Sequence, residues 1–111
     1  ALITNKARIF TEKLLDKLAL TSHFDVIICG DDMAKKPSPE PLLFACKKLN
    51  VEPNKAIMIG DSKSDILAAK AANIDVIALS YGYNQGENLE DYNPQYLCDN
   101  FLDIIPVLTQ R

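Results

Sequence analysis

The chain has 111 residues, 48% apolar and 24% charged, with a formal net charge of −3. That length suffices for one compact domain burying roughly 60–70% of its unfolded surface. The slightly acidic balance excludes the basic footprint of a nucleic-acid or anionic-membrane binder, and no apolar run approaches the roughly 20 residues of a membrane-spanning helix.

Strand and helix signals alternate along the chain. "ALIT" is a short apolar strand, and "KARIFTEKLLDKLAL" places Ile9, Leu14, Leu15 and Leu18 near helical spacing. "FDVIICG" is a continuous apolar strand of the kind buried in parallel sheets. Residues 31–38, "DDMAKKPS", form a polar loop. Ser38-Pro39 then opens a helix, with serine as cap and proline at the first helical position. Asn50 reads as its left-handed stop. "KAIMIG" is the next buried strand, "SKSDILAAKAA" an alanine-rich helix closed by Asn73, and "DVIALS" a further strand. The loop "YGYNQGENLEDYNPQ" leads to a short strand at Tyr96–Cys98 and to a terminal helix, "FLDIIPVLT", bent or interrupted at Pro106. Helices between strands predict right-handed crossovers and a parallel sheet covered on both faces, an α/β, Rossmann-like arrangement. Polar side chains at the carboxyl ends of its strands gather in one crevice.

Three clusters fall at such ends. Thr4-Asn5 offers a hydroxyl and backbone amides ahead of a helix, which suits a phosphate cradle or a plain helix cap. Lys36 precedes Pro37, which holds it extended; it reads as a fixed cation for phosphate or as a surface loop lysine. Gly60-Asp61-Ser62-x-x-Asp65 leaves a strand and enters a helix, so both carboxylates reach one crevice. Magnesium needs only one or two protein carboxylates beside water and phosphate, whereas a helix cap with a dipole-complementing acid uses the same residues. No histidine is placed to activate a serine, His23 reads as a turn or surface residue, and nucleotide-binding glycine signatures are missing. Cys29, Cys46 and Cys98 are odd in number, widely spaced and apolar in setting, which predicts reduced structural thiols in a cytoplasmic protein.

In order, "ITNK", "KKPSPEPLLFACKKLNVEP", "IMIGDSKSDILAAKAANI" and "LSYGYNQG" resemble the haloacid-dehalogenase-type phosphatases over nearly the whole chain. The resemblance implies that Thr4 and Asn5 bind the transferring phosphoryl group and that Lys36 offsets its charge. Asp61 is then a ligand of Mg2+, with Asp65 orienting its water or adding a contact. The implied substrate is a small phosphorylated acid. Other small-phosphate phosphatases and a sugar-phosphate mutase remain open, as does a non-catalytic, receiver-like interaction module in which Asp31-Asp32 and Asp61 imitate an acidic pair.

The family's first motif, Asp-x-Asp-Gly-Thr, carries the aspartate that becomes phosphorylated, and it does not occur in these residues. The opening "ALITN", which begins without methionine, reads as a cut through a longer protein. Residues 1–111 are therefore expected to be the C-terminal part of the core domain, without the central first-motif strand and the helical cap, and inactive alone. Two strand edges should then face a gap and pair directly, recruit the missing N-terminal half or a strand-exchanged second copy, or promote aggregation.

Overall fold

The computed structural model describes residues 1–81 and 86–109. Its strands are β1 (Leu2–Ile3), β2 (Ile27–Ile28), β3 (Ile57–Gly60), β4 (Asp75–Leu79) and β5 (Tyr96–Cys98). Its helices are α1 (Arg8–Lys17), α2 (Glu40–Leu49), α3 (Lys63–Ala71) and α4 (Ile104–Thr109). All described strand pairs are parallel, but they form two sheets, β1–β2 and β3–β4–β5.

The α/β expectation holds, and the alternation in β4 explains why. Val76 and Ala78 pack toward α2 and α3 with Leu42, Cys46, Ile66 and Ala69, whereas Ile77 packs the opposite face with Cys98 and Ile104. A strand whose successive side chains are all buried must be covered on both faces, and its continuous apolar run records that. Asn50 and Asn73 both adopt left-handed backbone, as expected of residues that end helices.

Helix boundaries differ from expectation in two places. Pro39, not Ser38, occupies the cap position of α2, although Ser38 Oγ still accepts from the Glu40 N–H at 3.2 Å. At the C-terminus a 3-10 turn at Phe101–Asp103 precedes α4, which puts Pro106 in the first helical turn. Amides there need no intrahelical partner, so the proline does not break the helix.

The edges of β1 and β3 do not pair with each other. They border a common apolar cavity of about 270 Å³, walled by Ala1, Ile3, Ile57 and Met58 together with Leu42 and Cys46 of α2. Direct pairing of the two edges is thus not what this fold adopts.

Candidate phosphate-binding site

The site is built where the two sheets meet. β3 ends at Gly60, and Asp61 and Ser62 turn the chain into α3. Ser62 and Asp65 form a reciprocal capping box: Asp65 Oδ2 accepts from the backbone N–H of Asp61 at 3.0 Å and of Ser62 at 3.3 Å, and Ser62 Oγ donates to it at 3.1 Å. This arrangement satisfies amides that a helix N-terminus otherwise leaves without partners. Glycine is required at position 60 by close approach, since a Cβ there would sit 2.4 Å from Asp65 Cβ.

The other oxygen of Asp65 faces Lys36. Lys36 Nζ lies 2.6 Å from Asp65 Oδ1 and donates to the Ile3 carbonyl at 2.9 Å. The two side chains are only 10% and 6% exposed, so this is a buried ion pair joining the loop after β2 to the start of α3. Burial of either charge alone would be costly, and the extra hydrogen bonds on each partner offset that cost. The sequence left Lys36 as either a fixed cation or a loop lysine; the structure places its ammonium between the ends of β1 and β3.

Thr4 stands at the end of β1. Its N–H donates to Ile28 O at 3.0 Å, and its Oγ1 accepts from the Lys6 N–H at 3.1 Å. Asn5 is exposed, and its carboxamide engages the backbone of Lys36: Oδ1 accepts from Lys36 N–H and Nδ2 donates to Lys36 O, both at 3.0 Å. The Lys36–Pro37 peptide is cis. Asp61 is half-buried at the tip of β3. Thr4, Asn5, Lys36, Asp61 and Asp65 therefore converge at the carboxyl ends of β1 and β3, as the strand-end argument requires.

The chemistry of the donors separates the two acids. A carboxylate offers about four acceptor directions. Asp65 takes four donors, one on Oδ1 and three on Oδ2, which leaves it to order the loop. Asp61 supplies a hard carboxylate at the strand tip, of the type magnesium prefers. Among the described residues no three acidic, histidine or cysteine side chains cluster as a self-sufficient metal cage.

Sequence reasoning missed the group that braces the end of β2. Asp31 Oδ1 accepts from the Arg8 N–H at 2.9 Å at the start of α1, and Arg8 Nη2 lies 2.5 Å from Asp32 Oδ2. Asp32 also accepts from the Cys29 N–H at 2.7 Å. The Arg8 hydrogen bond, followed by that from Cys29, holds the Asp32 carboxyl below its ordinary pKa, and the same pairing raises that of Arg8. Arg8 and Asp32 are 24 residues apart, so no local spacing signals the pair. Within "YGYNQG", residues 82–85 lie outside the described residues.

The haloacid dehalogenase-like hydrolase family model matches residues 1–79, and the chain belongs to that family. It is 51% identical over 106 residues to a phosphoglycolate phosphatase of Colwellia psychrerythraea, an alignment covering 95% of this chain and 47% of the relative. The chain thus spans about half the length of the curated relatives it matches. In structure it is similar to a protein of Haemophilus somnus 129PT described as a predicted phosphoglycolate phosphatase, with TM-score 0.89 and 30% identity over 96% of this chain and 48% of that one. It is also similar to a Thermotoga maritima protein described as a "putative beta-phosphoglucomutase", with TM-score 0.83 and 32% identity over 98% of this chain and 51% of that one.

Proposed function

We propose that this chain forms the phosphate- and metal-binding wall of a magnesium-dependent phosphatase that hydrolyses 2-phosphoglycolate to glycolate and phosphate. The observation that carries the reading is the buried Lys36 ammonium held between Ile3 O and Asp65, beside Asp61 and Thr4 at two strand ends. The 51% identity to a phosphoglycolate phosphatase supports the substrate. The likeness to the protein described as a "putative beta-phosphoglucomutase" favours, as a second reading, a sugar phosphate on the same cradle.

In this reading the Thr4 hydroxyl and the backbone N–H of Asn5 bind the phosphoryl oxygens, and Lys36 neutralises charge that develops on them. Asp61 holds Mg2+, which when bound supplies positive charge to the phosphate. Asp65 acts on the ion indirectly, by fixing the peptide of Asp61 and the position of Lys36. The protein is assigned to the cytoplasm, in keeping with three buried free thiols. Among the described residues no helix is long and apolar enough to cross a membrane.

Covalent phosphoryl transfer needs a nucleophile, and the residues of this chain supply a clamp without the Asp-x-Asp-Gly-Thr aspartate. The test is twofold. Titration of the 111-residue chain with inorganic phosphate and Mg2+ should shift NMR resonances of Thr4, Lys36 and Asp61; silence at all three would remove the site. Incubation with 2-phosphoglycolate and Mg2+ should release phosphate at background rate, and turnover by this chain would refute the assignment of the nucleophile to the first motif.

A further inference from the structure

We infer that Asn5 is a positioning residue that aims Lys36, coupling the ammonium to the strand end that carries Thr4; the inference rests on the phosphate-site reading of Lys36. The geometry is a two-point clamp. Asn5 Oδ1 accepts the N–H of Lys36 and Asn5 Nδ2 donates to the C=O of the same residue, each at 3.0 Å. A carboxamide can satisfy both groups in only one orientation, because a flipped amide would set donor against donor. The peptide groups on both sides of Lys36 Cα are thereby held, and with them the direction in which the side chain leaves the backbone.

The far end of the same side chain returns to the same strand end. Lys36 Nζ donates to the carbonyl of Ile3, two residues before Asn5. The stretch Ile3–Asn5 thus holds Lys36 at its backbone and at its ammonium, with Thr4 between the two anchor points. Asn5 is itself braced from behind. Gly30 N–H donates to Lys6 O at 2.8 Å, and a Cβ on Gly30 would fall 2.0 Å from Asn5 O, so the end of β2 packs directly on the Asn5 backbone.

No other residue type reproduces the clamp at this position. Aspartate accepts from Lys36 N–H but cannot donate to Lys36 O. Glutamine moves the carboxamide outward by one methylene, and alanine removes both bonds.

The experiment uses the 111-residue chain labelled with 15N-lysine and follows the Lys36 ammonium by NMR. In the parent chain, its two partners should slow exchange of the ammonium protons relative to the exposed lysines. Asn5→Ala should speed that exchange by about tenfold or more, the loss expected when two hydrogen bonds no longer aim the side chain, while β4 amides keep their protection. Asn5→Asp, with the same shape and one of the two bonds, should fall between parent and alanine variant. A Lys36 ammonium that exchanges at the parent rate in folded Asn5→Ala overturns the inference. Should the alanine variant fail to fold, parent-rate exchange in Asn5→Asp overturns it equally. Inorganic phosphate and Mg2+, added to the same samples, test the functional reading separately: no response at Thr4 or Asp61 tells against that reading, whereas the ammonium signal alone decides the role of Asn5.

Discussion

Asp61 and Thr4 stand at the ends of strands with very different support. Asp61 follows β3, which pairs along its length with β4, and Val76, Ile77 and Ala78 of β4 are fully buried. Thr4 follows β1, which pairs for two residues with β2, and the helix beside it leaves Ile9, Phe10, Leu14 and Leu18 about half exposed. One wall of the site is therefore backed by a fully buried strand, while the other, with Leu15, Ile28 and Cys29 buried behind it, is tied to the first by polar links as well. The Lys36–Asp65 ion pair and the Asn5 clamp tie β1 into the site, whereas β3 is held by pairing along its length with the buried β4.

Several substitutions should break this contrast, beginning with the largest effect. Asp65→Asn removes the charge facing a buried ammonium and should destabilise the chain by about 3–5 kcal/mol, the range for a buried pair that loses one partner. Urea unfolding measures the loss, and combining it with Lys36→Met should recover part of it, since no unpaired charge then remains. A smaller loss of about 2–4 kcal/mol is expected for Ile77→Ala in the buried strand. Leu14→Ala, on the half-exposed face of α1, should cost under about 1 kcal/mol by the same assay. Equal effects at the two positions would erase the difference between the walls. Next comes Gly60→Ala, whose Cβ would meet the Asp65 side chain. A cost of about 1–3 kcal/mol is expected from overpacking, together with faster hydrogen exchange of the Asp61 and Ser62 amides, because the clash displaces their acceptor.

Much of the better-supported half was legible in the sequence. The continuous apolar run "DVIALS" identifies a strand buried on both faces, whereas the equally apolar "KAIMIG" becomes β3, which lies at the edge of its sheet and is only partly buried, with Ile59 41% exposed. Asn50 and Asn73 mark helix ends through their tolerance of left-handed backbone. The clustering of Thr4, Lys36 and Asp61 followed from strand-end topology, because the crossover rule dictates where loops emerge. What could not be read was which partner each polar side chain takes. The spacing of Asp61 and Asp65 treats the two acids alike, yet Asp65 is buried and turns inward to Lys36, 29 residues away, while Asp61 is half-buried at the strand tip. Asn5 stands beside Thr4 as a candidate phosphate ligand, and its position in the chain gives no sign that its carboxamide meets the backbone of a residue 31 positions on. Such pairings depend on how loops cross in space, and periodicity carries no record of them.

The smallest effect concerns the end of β2 and depends on pH. Asp32 has its carboxyl pKa lowered, first by the Arg8 hydrogen bond and then by the Cys29 N–H. A group whose folded pKa lies below its unfolded value contributes stability that is fully present above the unfolded value, 3.8 for this carboxyl, and that is lost as pH falls through the folded one. Acidification below about pH 4 should therefore weaken the β1–β2 unit through Asp32. Asp32→Asn should remove that part of the acid sensitivity while leaving stability at neutral pH only modestly lower, since the Arg8–Asp32 pair is partly exposed and screened by solvent. The check is the acid limb of stability followed at two sites, β2 amides and β4 amides. Loss of β2 protection at a higher pH than β4 is the expected order, because the Cys29 N–H at the end of β2 is held by the titrating Asp32, while β4 is held by burial and strand pairing. Coincident loss at both strands would mean that the two walls unfold as one unit despite their different support.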